Sequence, residues 1–308
     1  MMETNTEPLK TIRDFIRYCT TRLYSSEATF NHGYQNPEEE AAFLVLRTLR
    51  IPLEYEEKFL DAALTGNERE TVLNNISRRC DDLEPTAYIT KEWWLTGFPF
   101  YVDERVLIPR SYIAELIEKN FDGLLPDPAR IHSILDMCTG SGCLAILLAE
   151  KFPQAEVDAV DISSDALEVA EINIADYEFE NRVYPIQSDL FENLQNTKYD
   201  LIISNPPYVT EASMEGLPQE YRYEPSLALV AGADGMDIID RLLKEVKAHL
   251  NDNGVLIVEL GDGAENFKER FPNIEVTWLP TSGGKDQDRK STRLNSSHLK
   301  LSRMPSSA

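Results

Sequence analysis

From residue 131 onward the chain switches repeatedly between short apolar runs and helix-forming stretches, and this alternation constrains the fold more than any other feature. The runs IHSILDM, AEVDAVDI, RVYPIQS, YDLIISN and GVLIVELG are rich in apolar and β-branched residues, the composition of strands covered on both faces. Residues 142–152, 164–176 and 237–250 read as helices between them. Strands that alternate with helices build a parallel sheet with right-handed crossovers and helices on both sides. The expected fold class is therefore α/β, a doubly wound, Rossmann-like sheet.

The chain before this sheet reads differently. In residues 1–84, Ile12, Phe15, Ile16, Cys19 and Leu23 recur at helical spacing. Pro37 opens EEEAAFLVLRTLR, with acids in the first turn and arginines in the last, as the helix dipole favours. A further helix is expected over 66–80. This stretch is expected to form a small helical N-terminal domain. In residues 85–120, EPTAYITKEWWLTGFPFYVDERVLIPR is aromatic and β-branched, with Gly97 and Pro99 as turn signals, and predicts a hairpin. SYIAELIEKNF then predicts a linker helix capped by Ser111. The main domain is assigned to 121–284. Residues 285–308 carry six Lys and Arg against two Asp and have no convincing amphipathic period, so a disordered tail is expected there.

Two turns carry the chemistry. The first strand, ILDM, runs directly into CTGSGC and a helix-forming LAILLAEKF. A glycine turn between strand and helix lets a ligand approach the backbone, and the N–H groups of a helix start can hold an anion. The dinucleotide fingerprint GxGxxG is incomplete, because Cys138 stands at its first position and only Gly140 and Gly142 follow. Asp161 ends the second strand about twenty residues after the loop, where a carboxylate can accept from both ribose hydroxyls. Its alternative role, capping the next helix, is open to Ser163 or Ser164 as well. Loop and carboxylate together suggest an adenosine-type cofactor. For S-adenosylmethionine the anion would be the methionine carboxylate, and Asp136 could accept from the ammonium. Asp189 and Leu190, after the third strand, are candidate adenine neighbours.

The second turn is Asn205-Pro206-Pro207-Tyr208, which follows YDLIIS. In open α/β sheets ligands bind beyond the carboxyl ends of the strands, so this turn belongs to the same rim as the glycine turn. Prolines cannot donate hydrogen bonds, which leaves acceptors. The Asn205 side-chain oxygen and the Pro206 carbonyl can accept from the two N–H groups of a planar amine, and the Tyr208 ring can pack on its face. Such a pair would fix a weakly nucleophilic amide nitrogen for methyl transfer, with no nucleophilic side chain and no metal. An adenine N6 is also a planar amine, so a nucleic-acid methyltransferase is one alternative. A non-enzymatic assembly factor on the same fold is another.

Composition narrows these choices. The formal net charge is −23, which repels phosphate backbones and suits a basic protein partner. No stable nucleic-acid binding is expected. The four cysteines form no CxxC pair and Cys138 and Cys143 have no nearby histidine, so a zinc site is not expected and a reducing cytoplasm fits. No apolar stretch is long enough to span a membrane.

DMCTGSGC, DAVDIS, QSDLF and NPPYV, in this order, resemble the N(5)-glutamine methyltransferases, and the resemblance runs from about residue 5 to 284. Release-factor enzymes usually carry glycine where Cys138 stands. WWLTGFPFYVDERVLIPRS and NPPYVTEASMEGLPQEYRYEPSLAL look like the branch acting on the third protein of the large ribosomal subunit. The resemblance implies a class I methyltransferase fold and S-adenosylmethionine as cofactor. It implies cofactor contacts from Asp136, Met137, Cys138, Thr139, Gly140, Asp161 and Asn205, with Asn205 through Tyr208 holding a glutamine. It further implies that Pro109 and Arg110 lie where the domains meet, and that the helical domain helps recognise a ribosomal protein. After Gly284 the family continues with an apolar antiparallel strand, where this chain reads KDQDRKSTRLNSSH. An exposed sheet edge is the expected consequence.

Overall fold

A computed structural model describes residues 6–302 except 31, 53–55, 126, 262, 280 and 282–297. The chain divides into two compact units, one of residues 1–92 with 218–223, the other of 93–217 with 224–308.

The first unit is helical: α1 (Ile12–Tyr24), α2 (Pro37–Thr48), α3 (Glu56–Phe59), α4 (Gly66–Cys80) and α5 (Thr86–Thr90). Thr11 and Thr65 each form a capping box with the acid three residues on, and Asn36 caps α2 with Pro37 in its first turn. The helical spacing read from the sequence is the buried face: Ile12, Phe15, Cys19 and Leu23 pack with Leu44, Val45 and Ile76. Arg79 is buried beside them, donating to Glu40 at 2.6 Å and to the Thr29 carbonyl at 2.8 Å. Helix α5 was not legible in the sequence, because a five-residue helix after a proline has no period to detect.

The second unit opens with the hairpin β1 (Trp93–Leu95) and β2 (Phe98–Phe100), paired through a turn at Thr96 and Gly97. Helix α6 (Ile113–Glu118) follows. Tyr112 takes its N-cap position, and the expected cap residue Ser111 accepts instead from the Ile113 N–H at 3.1 Å. Then come β3 (Ser133–Met137), α7 (Cys143–Lys151), β4 (Glu156–Asp161), α8 (Ser164–Asp176), β5 (Val183–Gln187), β6 (Tyr199–Ser204), α9 (Glu211–Met214), α10 (Asp237–Glu245), β7 (Leu250–Glu259), α11 (Ala264–Arg270), β8 (Thr277–Leu279) and β9 (His298–Ser302).

These strands form one sheet in the order β5-β4-β3-β6-β7-β9-β8, parallel from β5 through β7. Alternate residues serve opposite faces. Ile134, Leu201, Ile203 and Ile257 join the core with α6, α7 and α8. Leu135, Ile202, Leu256 and Val258 join the core with α10 and α11. The sheet is doubly wound, as the apolar runs required.

The tail departs from expectation at one place. Residues 298–302 form β9, antiparallel between β7 and β8, and so occupy the sheet position expected to stay open. HLKLS alternates polar and apolar residues, a strand period too short to stand out in a basic, serine-rich tail. The remaining residues of 285–308 lie outside the described residues.

Candidate active site

The chain runs outward from β3 to β5, then returns to place β6 beside β3. That reversal is the switch point where open sheets bind ligands. Met137 is the register partner of Ser204, and the Ser204 hydroxyl donates to the Met137 carbonyl at 2.9 Å. The two turns singled out in the sequence therefore leave adjacent strands at the same level, one at Cys138 and the other at Asn205.

The first turn is left-handed three times over, at Cys138 (φ 64°), Gly140 (φ 56°) and Gly142 (φ 77°). Cys138 adopts a conformation that glycine takes without strain. A Cβ on Gly142 would meet the Cβ of Ala170 in α8 at 3.1 Å, so this glycine sets how closely α7 and α8 approach. A Cβ on Gly140 would project into open space. The turn's own N–H groups are drawn inward. Thr139 donates to the Val160 carbonyl at 2.9 Å, Gly142 to the Thr139 carbonyl at 3.0 Å and Gly140 to the Asp161 carboxylate at 2.9 Å. Asp161 also accepts from the Ser163 N–H, while the Ser163 side chain caps α8 by accepting from Ala166. Asp161 is thus not the helix cap. Burial raises its pKa.

Asp136 is fully buried at the end of β3. One carboxylate oxygen accepts from the Thr139 hydroxyl at 2.6 Å, and the other has no partner among the described residues. Burial, opposed by the Thr139 hydrogen bond, lifts its pKa to about 7. Burial likewise raises the Cys138 thiol, and lifts that of Cys143 to about 12, so neither is a poised nucleophile.

The second turn is fixed from outside. Val209 donates to the Leu229 carbonyl at 2.8 Å and accepts from Ala231 at 3.0 Å, a short parallel bridge. A Cβ on Gly235 would lie 2.3 Å from the Tyr208 carbonyl oxygen, and one on Gly261 2.3 Å from the Tyr208 ring. Only glycine admits the turn at both places. The Asn205 side-chain oxygen is buried and has no hydrogen-bond partner among the described residues. A buried acceptor without a partner is costly to a fold and marks a place that a donor should fill.

A cavity of about 180 Å³ joins the two turns. Met137, Cys138, Thr139 and Gly140 line it from the first turn, Asn205 and Pro207 from the second, and Asp161, Asp189 and Leu190 from the neighbouring strand ends. Asp136, Gly142, Pro206 and Tyr208 are not in its wall; the first two support the glycine turn from behind, and Tyr208 packs on Gly261. Leu190 is left-handed and buried, and Asp189 is ion-paired with Arg241 of α10 at 2.8 Å.

Sequence reading missed two further walls, residues 105–111 and 225–230, and with them Ile238 and Arg241 of α10. Pro109 and Arg110 belong to the second unit, and Arg110 forms an ion pair with Glu224 of the same unit. Their separation of 114 residues leaves no local signal. Among the described residues no group of three or more His, Cys, Asp or Glu is placed to hold a metal.

The sheet order and switch-point cavity are those of a ligand-binding open α/β fold, and residues 121–218 match the family model "Methyltransferase small domain". The chain belongs to the family of ribosomal protein uL3 glutamine methyltransferases. It is 48% identical over 287 residues to the enzyme of that name from Bordetella pertussis, covering 93% of this chain and 96% of the relative. With the Neisseria meningitidis serogroup A enzyme of the same name it shares 48% over 278 residues, 90% and 91% of the two chains. Among solved structures, the catalytic domain of hMettl16 in complex with the MAT2A 3'UTR hairpin 6 superposes with a TM-score of 0.51 over 82% of this chain and 86% of that one. At 15% identity that likeness concerns the fold alone.

Proposed function

We propose that this chain transfers a methyl group from S-adenosylmethionine to the side-chain amide nitrogen of a glutamine in ribosomal protein uL3. The substrate follows the named activity of relatives that are nearly half identical over almost the whole chain. The observation that carries the chemistry is the Asn205 oxygen, buried, unpartnered and in one cavity with the glycine turn.

The residues present suit the cofactor. Asp161 can accept from ribose hydroxyls with the lone pairs its two backbone N–H donors leave free. The unpartnered oxygen of Asp136 suits an ammonium group, directly or through water. Asp189 and Leu190, candidate neighbours of an adenine, line the cavity together with Met137, Cys138 and Thr139. When bound, S-adenosylmethionine supplies an electrophilic methyl group.

The chain's own contribution is to hold the acceptor. The Asn205 side-chain oxygen and the Pro206 carbonyl each accept one N–H of the carboxamide. Their negative ends favour the positive charge that builds on nitrogen as its lone pair is drawn from the carbonyl. Pro206 and Pro207 keep the turn from rearranging as charge develops. Tyr208, pinned at carbonyl and ring by Gly235 and Gly261, buttresses the turn from outside the cavity wall. Fixed alignment then does the work expected of a reaction driven by proximity, and the nitrogen, on gaining the methyl, gives up one N–H proton, which leaves to solvent.

A ribosomal-protein substrate points to a cytoplasmic enzyme. Separately, no helix among the described residues is long and apolar enough to cross a membrane. The test is mass spectrometry of uL3, release factors and ribosomal RNA after incubation with enzyme and S-adenosylmethionine. A gain of about 14 Da, one methyl replacing hydrogen, on a single uL3 glutamine is the expected result. Label in release factor or nucleic acid alone would reject the reading.

A further inference from the structure

The wall formed by residues 225–230 has an unusual construction for a surface loop. It starts at Glu224, whose side chain is 0% exposed. Arg110 grips both oxygens of that carboxylate, at 2.5 and 2.7 Å, and the Ile108 N–H donates to one of them at 3.1 Å. The same guanidinium donates to the Ile108 carbonyl at 3.0 Å. The 105–111 segment is itself anchored, since the Trp93 indole donates to the Pro109 carbonyl at 2.6 Å. A carboxylate buried this deeply, even in a two-pronged ion pair, carries a desolvation penalty that a loop with no positional duty would avoid.

Beyond Glu224, Pro225 and a single 3-10 turn, Ser226–Ala228, lead to the bridge between Val230 and Val209. Val209 directly follows the Asn-Pro-Pro-Tyr turn. The wall is therefore tied at one end to Arg110 and at the other to the acceptor turn. At its crest stands Leu227, 56% exposed, while its neighbour Leu229 is buried. A lone exposed leucine needs no explanation in itself. Leu227 differs because it lines the same cavity as Asn205 and Pro207 and is held there by a rigid mount.

We infer that Leu227 is a substrate-contact residue, touching the polypeptide beside the target glutamine, and that Arg110 and Glu224 are the positioning pair that holds it at the mouth of the cavity. The inference rests on the glutamine methyltransferase reading above. An apolar crest at that mouth keeps water from the carboxamide while it is gripped by two acceptors, and it selects for a glutamine presented with an apolar neighbour. It also gives an acidic enzyme a contact with a basic protein that salt does not screen.

The experiment compares wild type, Leu227→Ala, Leu227→Met and Arg110→Lys for KM of uL3 and for the S-adenosylhomocysteine dissociation constant. Leu227→Ala is expected to raise KM at least fivefold, with the dissociation constant within twofold of wild type, and Leu227→Met, which conserves volume, is expected to restore KM. Arg110→Lys, which loses the two-pronged grip, is expected to raise KM in the same way. An unchanged KM in Leu227→Ala overturns the inference even if Arg110→Lys fails to fold. So does an S-adenosylhomocysteine affinity that falls in step with KM, because Leu227 would then serve the cofactor. A wild-type enzyme that binds no S-adenosylhomocysteine would instead defeat the underlying reading.

Discussion

The turns after β3 and β6 leave adjacent strands at one level, yet they are built in opposite ways. The first satisfies itself: Thr139, Gly140 and Gly142 all send their N–H groups back into the fold, and three left-handed residues make that possible. The second leaves an acceptor unsatisfied, with the Asn205 oxygen buried and without a partner, and relies on Val209, Gly235 and Gly261 to stay in place. One turn is a shaped floor and the other an open acceptor. Shape tolerates conservative change wherever space allows, whereas an acceptor cannot be replaced by anything that does not accept.

The sharpest way to break this contrast is Asn205→Ala. Turnover is expected to fall at least about 100-fold, the usual loss when a preorganised polar group is removed from a transition state, while S-adenosylhomocysteine affinity changes only a few-fold. Near-normal turnover would show that the second turn is also mere shape.

Gly142→Ala tests the floor. It combines a φ of 77° with a contact of 3.1 Å to Ala170, and is expected to destabilise the protein by about 1–3 kcal/mol, read as a lower melting temperature. An unchanged melting temperature would mean that the turn is not braced against α8.

Asp136 links the two designs, because one of its oxygens braces Thr139 and the other is buried without a hydrogen-bond partner among the described residues. Its pKa near 7 lies far above the ordinary carboxylate value of 3.8. The folded state therefore holds this proton to higher pH than the unfolded state, and the carboxyl's contribution to stability, complete below pH 3.8, fades as pH rises to about 7. An ammonium ligand prefers the ionised form. S-adenosylmethionine affinity should therefore weaken by up to about tenfold as pH falls from 8 to 6, one proton being displaced on binding. Titration calorimetry across this range checks it, and Asp136→Asn should flatten the dependence. A flat wild-type profile would restrict Asp136 to bracing.

The smallest effect is expected from Cys138→Gly. Relief of the left-handed cysteine opposes the extra freedom of glycine in the unfolded chain, so stability should change by less than about 1 kcal/mol. Cofactor affinity should move less than threefold. A tenfold loss would give the Cys138 side chain a contact that the shape account denies it.

The parts of this design differ in how far local sequence could announce them. The sheet was legible because buried parallel strands such as ILDM and LIIS are nearly all apolar, and the two turns were legible because glycine and proline have fixed conformational meanings. Ser163 rather than Asp161 as cap needed coordinates, since both sit within reach of the helix start. The grip of Arg110 on Glu224 joins residues 114 apart, and no local pattern encodes such a partner. Strand β9 was hidden for a different reason: its place is defined by the gap between β7 and β8 rather than by its own five residues.

The central claim is that the two turns face each other across one cofactor. A crystal structure of the protein with S-adenosylhomocysteine tests it directly. The account predicts the ribose on Asp161 and the thioether sulfur turned toward the Asn205 oxygen. A ligand bound elsewhere, or with its sulfur facing away from Asn205, would contradict it.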